Sequence, residues 1–595
     1  MKTTSRLVPE NACSLKRRII LVVGFVVCYV ATTFSSLAQG IWVPVTNPAP
    51  TACGGVMLLL SDGTILAKSS AGGLSYGNEW NKLTPDIHGS YINGTWTTID
   101  TMFNTRYAFA SQVLRDGRVY VAGGEYGSGG TSVELYNTRT GHWVPAPSMT
   151  GGDFMSDGPS EILPDGRVLQ AYFPGAGGDN GCKIFDPASN IFFPGPSVIG
   201  SFDETTWLKL PDNSILFVDH GLGSERYVPA LNNWIADDTL PVPLFDSYDF
   251  ETGPAFLLPD GRAIFFGSPT TTAYYTPSGT ASPGVWAAGP YFPGGQGMPD
   301  AAGAMMVNGK ILVATSMQPY GPMVFPTPTS FYEFDYLSNS FIPISAPGGA
   351  ISLPIASGST NMLDLPDGSV LYATTGSTAY FEYVPDGSPL AAGKPTISSV
   401  IKLACDTYKI TGTLFNGITE GAGFGDDWQM STNYPLVRLS AGGNVYYAFS
   451  YNWNSTSVMR GTAHDTAYFI LPAALPEGTY DLEVVTNGNP SAPHTFTTCM
   501  PSLSVSQTTL EEHNGLSVYP NPATRQTTVT FESKDAGRYE LRLIDVFGRV
   551  VMKESAESVA GENNVQVDLS NVPGGLYTVA LTAKDRVSNK KIVVE

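Results

Sequence analysis

Short apolar runs joined by two-residue polar turns recur along most of the chain. An apolar run, a turn and a second apolar run repeat seven times, with the turns roughly 50 residues apart. The turns are Asp62-Gly63, Asp116-Gly117, Asp165-Gly166, Asp212-Asn213, Asp260-Gly261, Asn308-Gly309 and Asp367-Gly368. Because these residue types tolerate the positive φ of tight hairpin turns, each repeat predicts a β-hairpin.

A third apolar run and then an aromatic residue follow several of these hairpins. The aromatic residues are Trp96, Trp143, Phe192, Trp234 and Trp286. One unit is thus a four-stranded sheet, and no 3.6-residue helical pattern competes with it. Seven such units predict a seven-bladed β-propeller over residues 39–393, in which circular closure protects the sheet edges.

Longer alternating runs begin after Lys394 and predict two further β domains. Residues 394–500 have the alternation and length of an immunoglobulin-like β-sandwich. A linker rich in Ser, Thr and Glu covers 501–515, and residues 516–595 predict a small C-terminal β-sandwich. The predicted fold class is therefore all-β throughout.

The first 38 residues have the layout of a secretory signal peptide. Lys16, Arg17 and Arg18 precede an apolar run, and Ser36-Leu37-Ala38 supplies small residues for cleavage. The apolar run is shorter than the ~20 residues that span a bilayer, so we expect no transmembrane anchor in the mature chain. The 595-residue chain has 32 Lys and Arg against 52 Asp and Glu, a net charge of −20. This charge argues against nucleic-acid binding.

Export also permits disulfide bonds between the cysteines that remain after cleavage. Cys405 and Cys499 stand at the two ends of the predicted sandwich, where its first and last strands can lie side by side. We expect a disulfide between them, and two buried free thiols are the alternative.

Carboxylates recur where the first strand of each propeller unit should begin. Counting back eight residues from each hairpin turn gives Gly54, Ala108, Asp157, Glu204, Thr252, Asp300 and Ser359. Asp203 and Glu251 lie one residue earlier than two of these positions. Converging carboxylates can bind Ca²⁺ or accept hydrogen bonds from sugar hydroxyls. The alternative is that they cap strand starts or face channel water.

A second candidate site lies between Glu420 and Pro435 in a glycine-rich segment. It contains Asp426, Asp427 and Trp428. An exposed indole can stack on a sugar ring while the acids bind its hydroxyls. The alternative is a clamp between domains, with Trp428 packed on the propeller.

Two stretches carry specific resemblances. Gly123-Gly124, Tyr136 and Gly141-His142-Trp143 resemble a Kelch repeat. The C-terminal module, with Leu516–Pro522, Leu541–Arg549 and Gly574–Tyr577, resembles the C-terminal sorting domain of the type IX secretion system of Bacteroidetes. The second resemblance implies that type IX machinery is a partner and that the chain reaches the cell surface or the medium.

The order of signal peptide, propeller and immunoglobulin-like domain resembles the galactose oxidase and glyoxal oxidase family. That resemblance implies a first-blade Cys linked to a copper-ligating Tyr of the second blade, and Cys53 and Tyr107 stand near those positions. The family's Tyr-His pair and sandwich His are replaced by Gly358-Ser359 and by Phe449–Trp453. Because Cu(II) favours imidazole ligands, we do not expect copper.

These observations favour non-catalytic binding of carbohydrate or another surface ligand at the acidic end of the propeller, with Ca²⁺ as the possible cofactor. A copper-radical oxidase with a site rearranged around Cys53 and Tyr107 is the alternative. A purely adhesive or structural surface module is a further alternative.

Overall fold

A computed structural model describes residues 39–595 except 74–75, 157, 176–179, 249, 425–427, 430–431, 499–515, 546–548 and 584–585. It divides the chain into two compact units, Met1–Met500 and Pro501–Glu595. The described regular elements are β-strands and four single-turn 3-10 helices, at Pro293–Gly295, Pro347–Gly349, Ser357–Ser359 and Ala391–Gly393. Within this described part, no helix has the length and apolar character needed to cross a membrane.

The propeller region begins with β1 (Ile41–Pro44) and then forms four-stranded antiparallel sheets in chain order. Sheet 1 contains β2 (Cys53–Leu59), β3 (Ile65–Ser69), β4 (Trp80–Thr84) and β5 (Thr95–Thr98). Next come β6 (Arg106–Tyr107) and sheet 2, with β7 (Ala110–Val113), β8 (Val119–Ala122), β10 (Val133–Asn137) and β11 (His142–Ala146). The short strand β9 (Tyr126–Gly127) pairs with β6 outside sheet 2.

Sheets 3 to 5 follow the same order. Sheet 3 contains β12 (Ser160–Ile162), β13 (Val168–Tyr172), β14 (Gly181–Asp186) and β15 (Ile191–Pro194). Sheet 4 contains β16 (Leu208–Lys209), β17 (Ile215–Val218), β18 (Ser224–Val228) and β19 (Asn233–Ala236). Sheet 5 contains β20 (Ala255–Leu257), β21 (Ala263–Phe266), β22 (Thr272–Thr276) and β23 (Val285–Ala288).

Sheets 6 and 7 complete the series. Sheet 6 follows β24 (Gln296–Gly297) and contains β25 (Ala302–Met305), β26 (Ile311–Met317), β27 (Ser330–Asp335) and β28 (Ser340–Ile344). Sheet 7 contains β29 (Thr360–Asp364), β30 (Val370–Thr374) and β31 (Tyr380–Val384). Its fourth strand is β1, which pairs with β31 from Ile41 opposite Val384 to Pro44 opposite Phe381.

Buried apolar side chains join neighbouring sheets into a closed ring. Separate clusters join sheets 2 and 3, 3 and 4, 4 and 5, and 5 and 6. The largest cluster joins sheets 6, 7, 1 and 2. The first strands of sheets 1 and 7 contact each other, as do those of 6 and 7, 2 and 3, and 4 and 5. The first strand of each sheet therefore lies toward the centre of the ring, and the assignment of residues 39–393 to a seven-bladed propeller stays a prediction.

The rest of the first unit is a second all-β region. Its strands are β32 (Thr396–Lys402), β33 (Thr407–Thr413), β34 (Ala422–Phe424), β35 (Trp428–Gln429), β36 (Leu436–Ala441), β37 (Asn444–Tyr451), β38 (Asp465–Ile470), β39 (Thr479–Thr486), β40 (Asn489–Pro490) and β41 (His494–Thr497). Most pair in the order β32-β33-β38-β37-β36-β39-β40, with β41 also on β39. The immunoglobulin-like assignment of residues 394–500 stays a prediction.

Two strands of this region join the propeller instead. β34 pairs with the first strand of sheet 6, with Phe424 opposite Ala302, and β35 pairs with β34. The glycine-rich segment between Glu420 and Pro435 thus contains a hairpin whose backbone continues sheet 6. Beside it, Glu420 lies 3.5 Å from the buried Lys209 Nζ, which also contacts Glu161 at 2.8 Å.

The C-terminal unit is two sheets around one core. Its strands are β42 (Ser517–Tyr519), β43 (Gln526–Ser533), β44 (Gly537–Asp545), β45 (Val550–Ser558), β46 (Gly561–Asp568), β47 (Gly575–Ala583) and β48 (Arg586–Val594). The sheets have the orders β42-β43-β46 and β45-β44-β47-β48. Phe531 of the first sheet and Leu541 and Val579 of the second belong to one buried cluster.

Candidate functional site

The first strands of the seven sheets begin at one end of the ring, which we call the strand-start face. Ala108, Glu204 and Asp300 occupy equivalent positions before three of these strands. All three residues have left-handed backbone conformations, with φ of 47°, 53° and 46°. The shared conformation supports the eight-residue count from which these positions were predicted.

Three of the predicted carboxylates come together on this face. Glu204, Glu251 and Asp300 precede the first strands of sheets 4, 5 and 6, and one oxygen from each lies within 4.8 Å of the others. Glu251 is buried, whereas Glu204 and Asp300 are half-buried. We call these residues the carboxylate triad. Three ionised carboxylates within 4.8 Å of one another would repel by at least about 3.5 kcal/mol per pair at an effective dielectric of ~20.

The triad has the donor chemistry of a hard-cation site. Ca²⁺ takes carboxylate oxygens at ~2.3–2.6 Å, so two oxygens on one ion lie at most about 5 Å apart. The 4.8 Å limit among the triad oxygens fits one such ion. A cation between them would also remove the mutual repulsion.

Hydrogen bonds between sheets hold the three segments of the triad together. Thr206 Oγ1 donates to the carbonyl of Gly253 at 3.1 Å, which joins the chain after Glu204 to the chain after Glu251. The backbone N–H of Asp300 donates to the carbonyl of Thr252 at 3.1 Å. Each carboxylate therefore lies on a segment that is hydrogen-bonded to the corresponding segment of a neighbouring sheet.

Asp246 holds the segment that carries Glu251. Its Oδ2 accepts hydrogen bonds from Glu251 N–H at 3.0 Å and from Ser268 Oγ at 3.1 Å. Its Oδ1 accepts from Tyr248 N–H at 2.7 Å. No sequence pattern predicts this role, because Asp246 lies outside the eight-residue count and Ser268 belongs to a different loop.

The other predicted ligand residues have different outcomes. The carbonyl oxygen of Asp203 is 2.6 Å from His220 Nε2, so its backbone anchors that ring. Asp157, Asp426 and Asp427 lie outside the described residues, and only the backbone of Trp428 is described. Their roles in binding stay predictions.

The predicted disulfide also stays a prediction. Cys405 is exposed at the start of the second region of the first unit. Its proposed partner, Cys499, lies outside the described part of the chain.

Cys53 and Tyr107 have different neighbours. The Cys53 thiol is fully buried, 3.6 Å from the carbonyl of Gly55 and 4.0 Å from Asn361 Nδ2. Burial raises the pKa of this thiol, which keeps it protonated at neutral pH. The Tyr107 ring packs near Tyr76 and Tyr126, with centroids 5.9 and 6.2 Å away.

Comparisons with known proteins agree with two parts of this description. Residues 107–150, which contain sheet 2, match the Kelch motif. Residues 517–595 match the secretion system C-terminal sorting domain. No curated protein matches the chain. A solved structure of a fungal alcohol oxidase of the AA5 family, in complex with copper, is similar with a TM-score of 0.45 and 14% identity, over 78% of this chain and 99% of that chain.

The Kelch and sorting-domain resemblances are thereby confirmed at the residues that suggested them. The sorting domain indicates export to the cell surface or the medium. It also implies an interaction with the type IX secretion machinery. The chain thus combines an all-β body that contains a Kelch motif with a C-terminal sorting domain of a secretion system.

Proposed function

We propose that this exported Kelch-type protein binds a ligand without transforming it, and that the carboxylate triad is the centre of its site. Glu204, Glu251 and Asp300 bind a divalent cation such as Ca²⁺. The bound cation then coordinates hydroxyl oxygens of a carbohydrate or of another surface ligand, and the carboxylates accept hydrogen bonds from its hydroxyl groups. The observation that supports this function is the convergence of three carboxylates from three different sheets within 4.8 Å.

Calorimetric titration of the mature protein with CaCl₂ tests the cation site. We expect one bound ion per chain and at least tenfold weaker binding in each of Glu204→Gln, Glu251→Gln and Asp300→Asn, because each variant removes one charged ligand. Asp260→Asn is the matched control, since Asp260 is a carboxylate in the hairpin turn of sheet 5, at the opposite end of the ring. Unchanged affinity in the triad variants would refute the site.

A glycan array, probed with and without Ca²⁺, tests the ligand class. We expect binding by the wild type and its loss in the triad variants. If the protein binds Ca²⁺ but no glycan, the result would instead favour a protein ligand. If it binds neither Ca²⁺ nor a glycan, the result would favour the adhesive or structural module.

The rival function is oxidation at a site built on Cys53 and Tyr107. Such a site requires a thioether between the Cys53 sulfur and the Tyr107 ring, which forms with the loss of two hydrogens to an oxidant such as O₂. Mass spectrometry of the tryptic peptides decides between the two functions. A crosslinked peptide pair two hydrogens lighter than the sum of its parts, together with bound copper, would replace the binding function.

A further inference from the structure

Exposed aromatic rings form three groups on the strand-start face, outside the carboxylate triad. The first contains Tyr76 and Tyr126, which follow the second strands of sheets 1 and 2, with ring centroids 5.1 Å apart. The second contains Phe154 and Phe173 beside sheet 3, stacked at 5.4 Å and 18°. We call these groups platforms, because each presents a ring supported by another ring.

The third platform lies next to the triad. The Phe250 ring stacks on His220 at 5.1 Å and 12°, and Phe245 packs edge-on behind His220 at 5.0 Å. Phe250 precedes Glu251 in sequence, and His220 is hydrogen-bonded to the carbonyl of Asp203, which precedes Glu204. The platform is therefore attached to two segments of the triad.

The leading rings of all three platforms remain substantially open to solvent. The exposed fractions of Tyr76, Tyr126, Phe154 and Phe250 lie between 39 and 47%. An aromatic ring that is half exposed and supported from behind offers a flat apolar surface of fixed orientation.

Two of these rings are held in an unfavourable backbone conformation. Tyr76 and Phe250 have φ of 57° and 66°. Bulky residues avoid the left-handed region, where glycine is the usual choice. Strain of this kind concentrates at ligand sites, and here burial of the rings does not explain it. Both rings instead remain partly exposed, at 44 and 47%.

The arrangement of the platforms points to an extended ligand. They belong to sheets 1 and 2, sheet 3, and sheets 4 and 5 of the ring, and packed sheets lie roughly 10 Å apart. A single pyranose ring is too small to reach two platforms, whereas a chain of sugar units can cover several. The net charge of −20 disfavours polyanions, including nucleic acids and acidic polysaccharides.

We propose that the strand-start face binds an uncharged polysaccharide chain, with pyranose faces at intervals along the chain stacked on the Tyr76, Phe154 and Phe250 platforms. The inference rests on the proposed function, because the triad then binds the hydroxyls of the sugar unit beside Phe250. The face then has several subsites for one polymer chain, and the affinity of the protein grows with the number of sugar units.

Retention of the mature protein on insoluble cellulose, xylan, chitin and starch identifies the polymer. Calorimetry with oligosaccharides of two to six units of that polymer then measures the chain-length dependence. We expect affinity to rise at least tenfold over the series. Phe250→Ala and Tyr76→Ala should each weaken binding of the longest oligosaccharide at least tenfold, whereas Phe250→Trp and Tyr76→Phe should preserve it.

Two further variants separate binding from folding. Phe250→Gly relieves the positive φ, so we expect a melting temperature equal to or above that of the wild type together with lost binding. Phe193→Ala is the matched control, because Phe193 is 40% exposed but lies on β15, the last strand of sheet 3. It should bind as the wild type does.

The outcomes distinguish this inference from the function on which it rests. Ca²⁺ binding by the triad without retention on any uncharged polymer would overturn the inference alone. So would monosaccharide affinity equal to that of the longest chain, full binding by the Phe250→Ala and Tyr76→Ala variants, or retention on acidic polysaccharides only. If the wild type binds neither Ca²⁺ nor any polymer, both this inference and the proposed function would be overturned.

Discussion

Asp246 accepts a hydrogen bond from the backbone N–H of Glu251 at 3.0 Å. The same carboxylate also accepts from Tyr248 N–H and Ser268 Oγ. Asp246, a buried acid outside the triad, thus holds the backbone of Glu251 in position. Residues that orient ligands in this way typically change metal affinity by about 10–100-fold when replaced.

Asp246→Asn should therefore weaken Ca²⁺ binding about tenfold while the protein stays folded. An amide has one acceptor oxygen, so it cannot serve both Tyr248 N–H and the Glu251 and Ser268 donors. Calorimetric titration with CaCl₂ measures the effect. Asp335→Asn is the control, because Asp335 makes a similar pair of bonds to Leu337 N–H and Ser338 Oγ in the β27–β28 turn. Equal affinity in both variants would contradict the role of Asp246.

Glu382 should make the stability of the first unit fall as pH rises through the neutral range. Burial, with a smaller contribution from Asp367, raises the pKa of Glu382 from 4.5 to about 8. Between these two values the folded chain holds a proton that the unfolded chain lacks, so the free energy of unfolding decreases with increasing pH. This group alone contributes a slope of about −1.4 kcal/mol per pH unit.

Urea unfolding of the wild type and of Glu382→Gln from pH 4.5 to 8 checks this slope. The variant should lose the decline and be more stable than the wild type near pH 8. Glu477→Gln, which changes an exposed carboxylate, should follow the wild type. A Glu382→Gln profile parallel to that of the wild type would show that Glu382 is ionised in the folded protein.

Trp42→Ala should destabilise the ring by about 3 kcal/mol. Trp42 lies on β1, donates from Nε1 to the Ser345 carbonyl at 2.7 Å, and packs against Phe331, Tyr372 and Tyr383. Its loss removes the main side-chain anchor of the strand that completes sheet 7. Ile41→Ala on the same strand is the control, since Ile41 is 62% exposed. Similar urea midpoints for the two variants would argue against closure through Trp42.

Glu134→Gln should cost about 3 kcal/mol of unfolding free energy. Glu134 and Arg106 form a fully buried ion pair at 2.9 Å, and the variant leaves the guanidinium charge without its partner. Asp165→Asn in the exposed pair with Arg167 should change stability by less than about 0.5 kcal/mol. Equal losses of stability in Glu134→Gln and Asp165→Asn would contradict the assignment of the cost to an uncompensated buried charge.

Local sequence was sufficient for the features that short segments determine. The Asp-Gly turns predicted the hairpins, and the spacing from those turns placed Glu204 and Asp300 at equivalent strand starts. Glu251 joined them although it stands one residue before its counted position. These predictions worked because a hairpin and the residues that enter it depend on nearby turn chemistry.

Features that depend on distant pairing were not predictable in the same way. Nothing in Ile41–Pro44 marks it as the fourth strand of sheet 7, because its partners lie at the far end of the propeller sequence. The strand Ala422–Phe424 is not predictable from its glycine-rich segment, because it forms by pairing with the first strand of sheet 6. The positive φ of Phe250 is equally hidden, because aromatic residues normally avoid it.

Because β1 is the fourth strand of sheet 7, the ring can close only after sheet 7 has been synthesised. The carbonyl that accepts the Trp42 hydrogen bond belongs to Ser345, 303 residues later in the chain, so β1 cannot be anchored before Ser345 has been synthesised. A chain that stops early keeps an open edge strand and a gap in the circle, which leaves it prone to proteolysis and aggregation. That edge is covered only in a polypeptide that has been translated through sheet 7. The sorting domain lies after sheet 7 in the sequence, so a chain that carries it also contains every strand of the ring.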